Sequence, residues 1–190
     1  YLLLGDGAAA EGALNRARAD GVPAARLHHL FADAWLMQGD PQRALTEAAR
    51  AAPPYAAYAV RVRARALAAA GDVPAATRML EALVARAPRD AYAYADLGRV
   101  RFDAGDIGSA DVAARQALAL DPTNLAAIVL AGQVVRSRYG LTAALPWFDR
   151  ALALDAYYHP ALIEYAATAG DAGRYACLLY TSPSPRDKRQ

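Results

Sequence analysis

One interval constrains this chain more than any other feature: at an offset of 34 residues, segment 91–124 falls on segment 125–158 nearly position for position. Leu97-Gly98 meets Ala131-Gly132, Ala110 meets Ala144, Ala117-Leu118 meets Ala151-Leu152, and Leu120-Asp121 meets Leu154-Asp155. A chain repeating at this period folds as a stack of like units, each burying its apolar side on the next. The period also extends outward. Gly5, Gly39, Gly71 and Gly105 recur, Tyr139-Gly140 and Gly173 continue the column, and Asp6, Asp40, Asp72 and Asp106 each follow a glycine directly. A helix ends at low cost on a glycine that tolerates positive φ, and the next begins on a carboxylate that accepts from free backbone N–H groups. Pro41 and Pro74 suit a first helical turn. Pro54, Pro88 and Pro122 close the second helix of each unit, with Ala156 in that slot at the end. Ala10, Ala44, Ala76, Ala110 and Ala144 share one slot, where a side chain larger than a methyl would push two helices apart.

In segment 91–124, Tyr94-x-x-Leu97-Gly98 is followed by Gly105, Ala110, Ala117 and Pro122, and this pattern resembles the tetratricopeptide repeat. The resemblance implies an all-α fold, a right-handed αα superhelix of about five helix-turn-helix repeats, cut short at both ends. A half repeat occupies 1–24, with its second helix at about 7–20. Repeats follow at 25–56, 57–90, 91–124 and 125–158, and a partial repeat at 159–176 carries a shortened first helix at about 160–169. The opening Tyr1-Leu2-Leu3-Leu4 reads as the end of a helix begun earlier, so a fragment of a longer solenoid is expected.

Segment 177–190 breaks this pattern. It carries Cys177 and Lys188, the single cysteine and the single lysine, and interrupts the last repeat where a second helix should start. Residues 177–187 resemble a translated sequencing-library adapter, a reading in which they are foreign to the protein. A genuine Ser/Pro-rich tail is the alternative, and both lead to the same expectation of a disordered segment. The charge depends on it: the chain has 21 Lys and Arg against 19 Asp and Glu, and without Arg186, Lys188, Arg189 and Asp187 the balance is 18 against 18. A nucleic-acid role argued from a basic pI therefore has no footing. No apolar run approaches the roughly 20 residues that span a bilayer.

The residues hold little catalytic chemistry. Gly5-Asp6-Gly7-Ala8-Ala9-Ala10 matches a dinucleotide fingerprint, but Gly39-Asp40, Gly71-Asp72 and Gly105-Asp106 fill the same column, which makes it the repeat's own turn. His28 and His29 are adjacent, so on a helix they diverge by about 100° and cannot chelate one metal as an i, i+4 pair would. The recurrent aspartates are explained by capping. Neither enzymatic activity nor a metal or other cofactor is expected.

What remains is surface. The resemblance implies that first helices line a concave groove, and its slots take Arg26, His29, Asp33, Leu36 and Met37; Tyr58, Arg61, Arg65 and Ala68; Tyr92, Arg99, Phe102 and Asp103; Val129, Gln133 and Arg136. Arg61 and Arg65 form a like-charged i, i+4 pair that calls for an anion between them. Arg and Tyr make good binding anchors because a planar fork and a rigid ring give much contact for little entropy. The expected site is a groove for an extended or helical peptide of acidic or carboxylate-terminated character, held by Arg61, Arg65, Arg99 and Arg136 and flanked by Tyr58, Tyr92 and Phe102. A solvated face balanced by Asp96 and Asp103 is the other reading. Family members that clamp chaperone C-termini carry Lys and Asn at set groove slots, and this chain has neither there. Arg63 stands in a slot that is normally apolar core.

The expected function is a non-enzymatic scaffold that binds a protein or peptide segment. The alternatives are a repeat arm of a larger bacterial enzyme, such as a glycosyl- or sulfotransferase, or part of an exopolysaccharide or exosortase-associated export system. The Arg-only, Ala-rich usage of residues 1–176 suggests a bacterial source, with cytoplasm and periplasm or envelope both open as the compartment. Partner identity and oligomeric state are not written in these residues.

Overall fold

The computed structural model describes residue 2 and residues 5–173, and in them ten α-helices follow one another with no strand. They are α1 (Gly7–Ala19), α2 (His28–Met37), α3 (Pro41–Ala48), α4 (Ala56–Ala69), α5 (Val73–Arg86), α6 (Ala91–Asp103), α7 (Ile107–Leu120), α8 (Leu125–Tyr139), α9 (Leu141–Leu154) and α10 (His159–Asp171). The foreign or native tail read at 177–190 lies outside the described residues.

The punctuation read from the sequence governs the turns. Gly5, Gly39, Gly71, Gly105, Gly140 and Gly173 all have positive φ, between 71° and 92° together with Gly21. After four of them the aspartate carboxylate caps the next helix: Asp6 accepts from Ala9 N–H, Asp40 from Arg43, Asp72 from Ala75 and Asp106 from Ser109. Asp90 and Asn124 do the same for α6 and α8. Since Asp6 caps α1 and Gly5 has the same positive φ as the glycines that close the later first helices, Gly5-Asp6-Gly7 is the repeat's own helix turn. Helix α9 departs from the rule, for Gly140 gives it no side-chain cap and Pro146 sits within it.

Short turns make α2–α3, α4–α5, α6–α7 and α8–α9 into hairpins, and each second helix also packs on the first helix of the next pair. The even-numbered helices α2, α4, α6, α8 and α10 touch one another in series, and no comparable set of contacts joins the odd-numbered ones. The even helices therefore form one continuous wall on the tighter, concave side. The odd helices stand apart on the convex side with crevices between them.

Methyl-sized contacts hold the pairs together. Ala44, Ala76, Ala110 and Ala144 are wholly buried, and Ala10 is nearly so. Gly132 shows why: a Cβ there would lie 2.5 Å from the ring of Phe148, itself fully buried. Around these contacts lie Leu80, Leu83, Leu97 and Val100 in one cluster, and Ile128, Val129, Phe148 and Ala151 in another.

Some details differ from the expectations. Helix α3 is only eight residues long because Pro53-Pro54 open a separate 3-10 turn behind it. This is where the glycine interval shrinks between Gly39 and Gly71. A 3-10 turn at Ala24–Arg26 precedes α2, and α10 extends past the expected 160–169.

Candidate functional site

The concave wall takes its chemistry from the five even helices, α2, α4, α6, α8 and α10. On α4, Tyr58, Arg61 and Arg65 stand at i, i+3 and i+7, and on α6, Tyr92, Asp96, Arg99 and Asp103 follow the same stripe. Residues about 34 apart sit side by side on neighbouring even helices, so the stripes become a lattice of cross-helix pairs.

That lattice answers most of its own charge. Arg61 Nε donates to Asp96 Oδ2 at 2.7 Å, and Arg65 Nε lies 3.9 Å from Asp96 Oδ1. The anion required between the like-charged Arg61 and Arg65 is thus supplied by the next repeat. Arg65 also donates to Asp33 on α2 at 2.9 Å, and the Tyr58 hydroxyl donates to the same carboxylate. Asp33 is 6% exposed, so it is a charge out of water, held by two donors. Burial works against the charge on Arg65, but Asp96 and Asp33 outweigh it and hold its pKa above the ordinary value. Burial, with the Asp33 charge and hydrogen bond behind it, pushes the Tyr58 phenol well above the usual tyrosine range.

Further along, Arg99 donates to Asp103 at 2.9 Å and to the Gln133 side chain at 3.0 Å. Gln133, buried, passes a hydrogen bond to Glu164 on α10. Arg136 pairs with Glu164 at 2.8 Å and donates to Thr168. Of the four arginines, Arg99 is the most open: its side chain is 49% exposed and that of Asp103 53%. Such an exposed pair contributes at most about 1 kcal/mol, so an incoming carboxylate can exchange with it.

The tyrosines frame these cations. The Arg61 guanidinium carbon lies 5.6 Å from the Tyr58 ring centroid and 4.9 Å from that of Tyr92, which stays half exposed. The wall thus brings Tyr58, Arg61, Arg65, Tyr92, Arg99 and Arg136 together. Phe102 is turned elsewhere, half-buried against the Ala110, Ala114 and Leu130 cluster, where it serves packing. Val129 is likewise core. His29 is buried, stacked on Tyr55 at 4.0 Å, while His28 turns away to Glu47 at 2.7 Å. Tyr158, which lies outside the groove slots of the repeat, is close enough to Asp96, Arg65 and Arg99 to feel their charges, and burial with Asp96 raises its pKa. Among the described residues no three metal-ligating side chains converge, and no helix is long and apolar enough to cross a membrane.

Comparison with solved structures places this architecture in a class: it is a tetratricopeptide-type helical solenoid. The chain superposes on a tetratricopeptide-repeat protein of Thermus thermophilus, TTC0263, with a TM-score of 0.67 at 22% identity, covering 82% of this chain and 86% of that one. Pseudomonas aeruginosa PilF matches with a TM-score of 0.64 at 17% identity over 83% of this chain and 73% of that one. A chain of the APC/C hetero-tetramer Cut9–Hcn1 gives 0.72 at 15% identity, with 95% of this chain covering 36% of the other. No family model and no curated protein matches the chain.

Proposed function

We propose that the protein is a non-enzymatic interaction scaffold that binds a peptide or protein segment along the even-helix wall. The carrying observation is the Tyr58–Arg61–Tyr92 stack: Asp96 fixes the guanidinium between two rings, and Tyr92 is presented half exposed at no further ordering cost. A rigid aromatic anchor beside an exchangeable Arg99–Asp103 pair suits a ligand that brings an apolar side chain and a carboxylate. Arg61, Arg65 and Arg136 act mainly as the frame, because their charges are matched by Asp33, Asp96 and Glu164.

Fluorescence anisotropy with labelled peptides ending in an apolar residue and a free carboxylate tests this reading. Tyr92→Ala with Arg99→Ala should weaken such a peptide at least about tenfold, because an anchor ring and a charge pair are lost together. Affinity equal to that of the unaltered protein would exclude the wall as the binding surface.

A further inference from the structure

The convex side carries a different balance. Between α4 and α5 lies a crevice of about 520 Å3 lined by Val60, Arg63, Ala75, Arg78, Met79, Ala82 and Arg86. It shares Val60 and Arg63 with a hollow of about 160 Å3 that reaches the end of α3. Three arginines line the crevice and no carboxylate does. Among the described residues no ion pair engages Arg63, Arg78 or Arg86, and the single hydrogen bond is from Arg86 Nε to the Ala82 carbonyl. Helix α4 has no acidic residue, and the one on α5, Glu81, is held by Arg101 at 2.7 Å. On α3, Glu47 is engaged by His28 and Arg50.

The repeat makes this cluster conspicuous. At offsets of 34 residues, Arg63 corresponds to Leu97 and Ala131, Arg78 to Val112 and Pro146, and Arg86 to Leu120 and Leu154. Three positions that are apolar in both following repeats are all arginine in this one. Arg61, Arg65, Arg99 and Arg136 on the concave wall each face a carboxylate of the chain, whereas these do not.

We infer that the α4–α5 crevice is a second binding site, independent of the concave wall, for an acidic amphipathic segment of a partner protein. Carboxylates would pair with the three guanidiniums, and an apolar side chain would sit on Val60, Met79 and Ala82. Three unpaired guanidiniums around an apolar floor of Val60, Met79 and Ala82 favour a protein segment over a free inorganic anion, which would use the charges and leave the floor uncovered.

The repeat itself supplies the test. Arg63→Leu, Arg78→Val and Arg86→Leu restore side chains that the next repeat carries at the same slots, so the triple variant retains the fold, as circular dichroism would verify. The probe is a labelled, capped peptide with glutamates at i, i+4 and i+7 and a leucine stripe beside them. It should bind the unaltered chain and weaken as salt is raised. At ordinary rim-pair strengths the triple variant should lose about tenfold or more in affinity, and the same loss should appear when the three changes are made in a Tyr92→Ala, Arg99→Ala background, where the concave wall cannot compete for the probe. Equal affinity for the triple variant would overturn the inference. So would loss confined to the Tyr92/Arg99 variant, or tighter binding of a single-stranded oligonucleotide through the same arginines.

Discussion

Asp33 is the most consequential single side chain in the concave wall, and replacing it exposes how the wall is held. It is 6% exposed and receives two donors, the Tyr58 hydroxyl and Arg65 at 2.9 Å. Removing one partner of a buried ion pair costs about 3–5 kcal/mol when the other charge is stranded. Here Arg65 retains 30% exposure and the Asp96 oxygen at 3.9 Å, so it is only partly stranded and Asp33→Ala should cost less than that, about 2–3 kcal/mol. Asp33→Asn keeps the shape and one acceptor and should cost about 1–2 kcal/mol; Tyr58→Phe, which leaves the Asp33–Arg65 pair intact, about 1 kcal/mol. Urea unfolding followed by circular dichroism reads all three. The Tyr58 phenol gives an independent check on sign. Its pKa is raised in the folded state, so the unfolded chain releases this proton first, near 10. Stability should be intact below that pH and fall as pH rises beyond it, and Tyr58→Phe should flatten the alkaline slope. Unfolding midpoints for Asp33→Ala and Asp33→Asn equal to that of the unaltered protein would refute the reasoning, because the carboxylate would then be holding nothing.

Two further outcomes follow from other parts of the fold. Burial lowers the pKa of His29, with Asp33 opposing and His28 adding, so the unfolded chain takes up the proton first, near 6.5. Stability should be full above that pH and decline as pH falls through the folded value, and His29→Phe, which keeps the stack on Tyr55, should reduce the acid slope in thermal melts. Asn124, 1% exposed, caps α8 through Ala127 N–H while its amide nitrogen has no hydrogen-bond partner among the described residues. Asn124→Ala should cost about 1 kcal/mol, visible as a lower unfolding midpoint.

Much of the architecture was legible because it rests on local rules that the repeat states several times. A glycine that ends a helix and an aspartate that caps the next act within a few residues, so Gly105-Asp106 reads the same in sequence and in space. The length of α3 was not legible in the same way, since it depends on how Pro53-Pro54 trade one helical turn for a 3-10 turn. In the concave wall, the helix face was readable but the pairing was not. Arg61 and Asp96, Arg65 and Asp33, and Arg99 and Gln133 are 35, 32 and 34 residues apart, separations close to the repeat length. The repeat length was therefore a signal for cross-helix partners, and it turns arginines that look free in one dimension into members of closed pairs. Phe102 raises a simpler point: near the end of α6 a slot number does not say how far a ring packs into the core, and this one is half-buried against Ala110, Ala114 and Leu130. Arg63 stands out in the sequence by its apolar slot, but only the crevice reveals that Arg78 and Arg86 keep it company.

The account depends on paired helices meeting at methyl distance in the 34-residue register, and one comparison of two glycines tests that most directly. Both Gly12 and Gly132 lie inside helices, where alanine ordinarily gains about 1 kcal/mol. At Gly12 the nearest atom to a new Cβ is the end of Arg16, 3.7 Å away, whereas at Gly132 it is the buried Phe148 ring at 2.5 Å. Gly12→Ala should raise the unfolding midpoint. Gly132→Ala should lie about 1–3 kcal/mol below it, the usual cost of overpacking a filled core. Equal stabilisation by the two substitutions would contradict the packing on which the wall and the crevices are built.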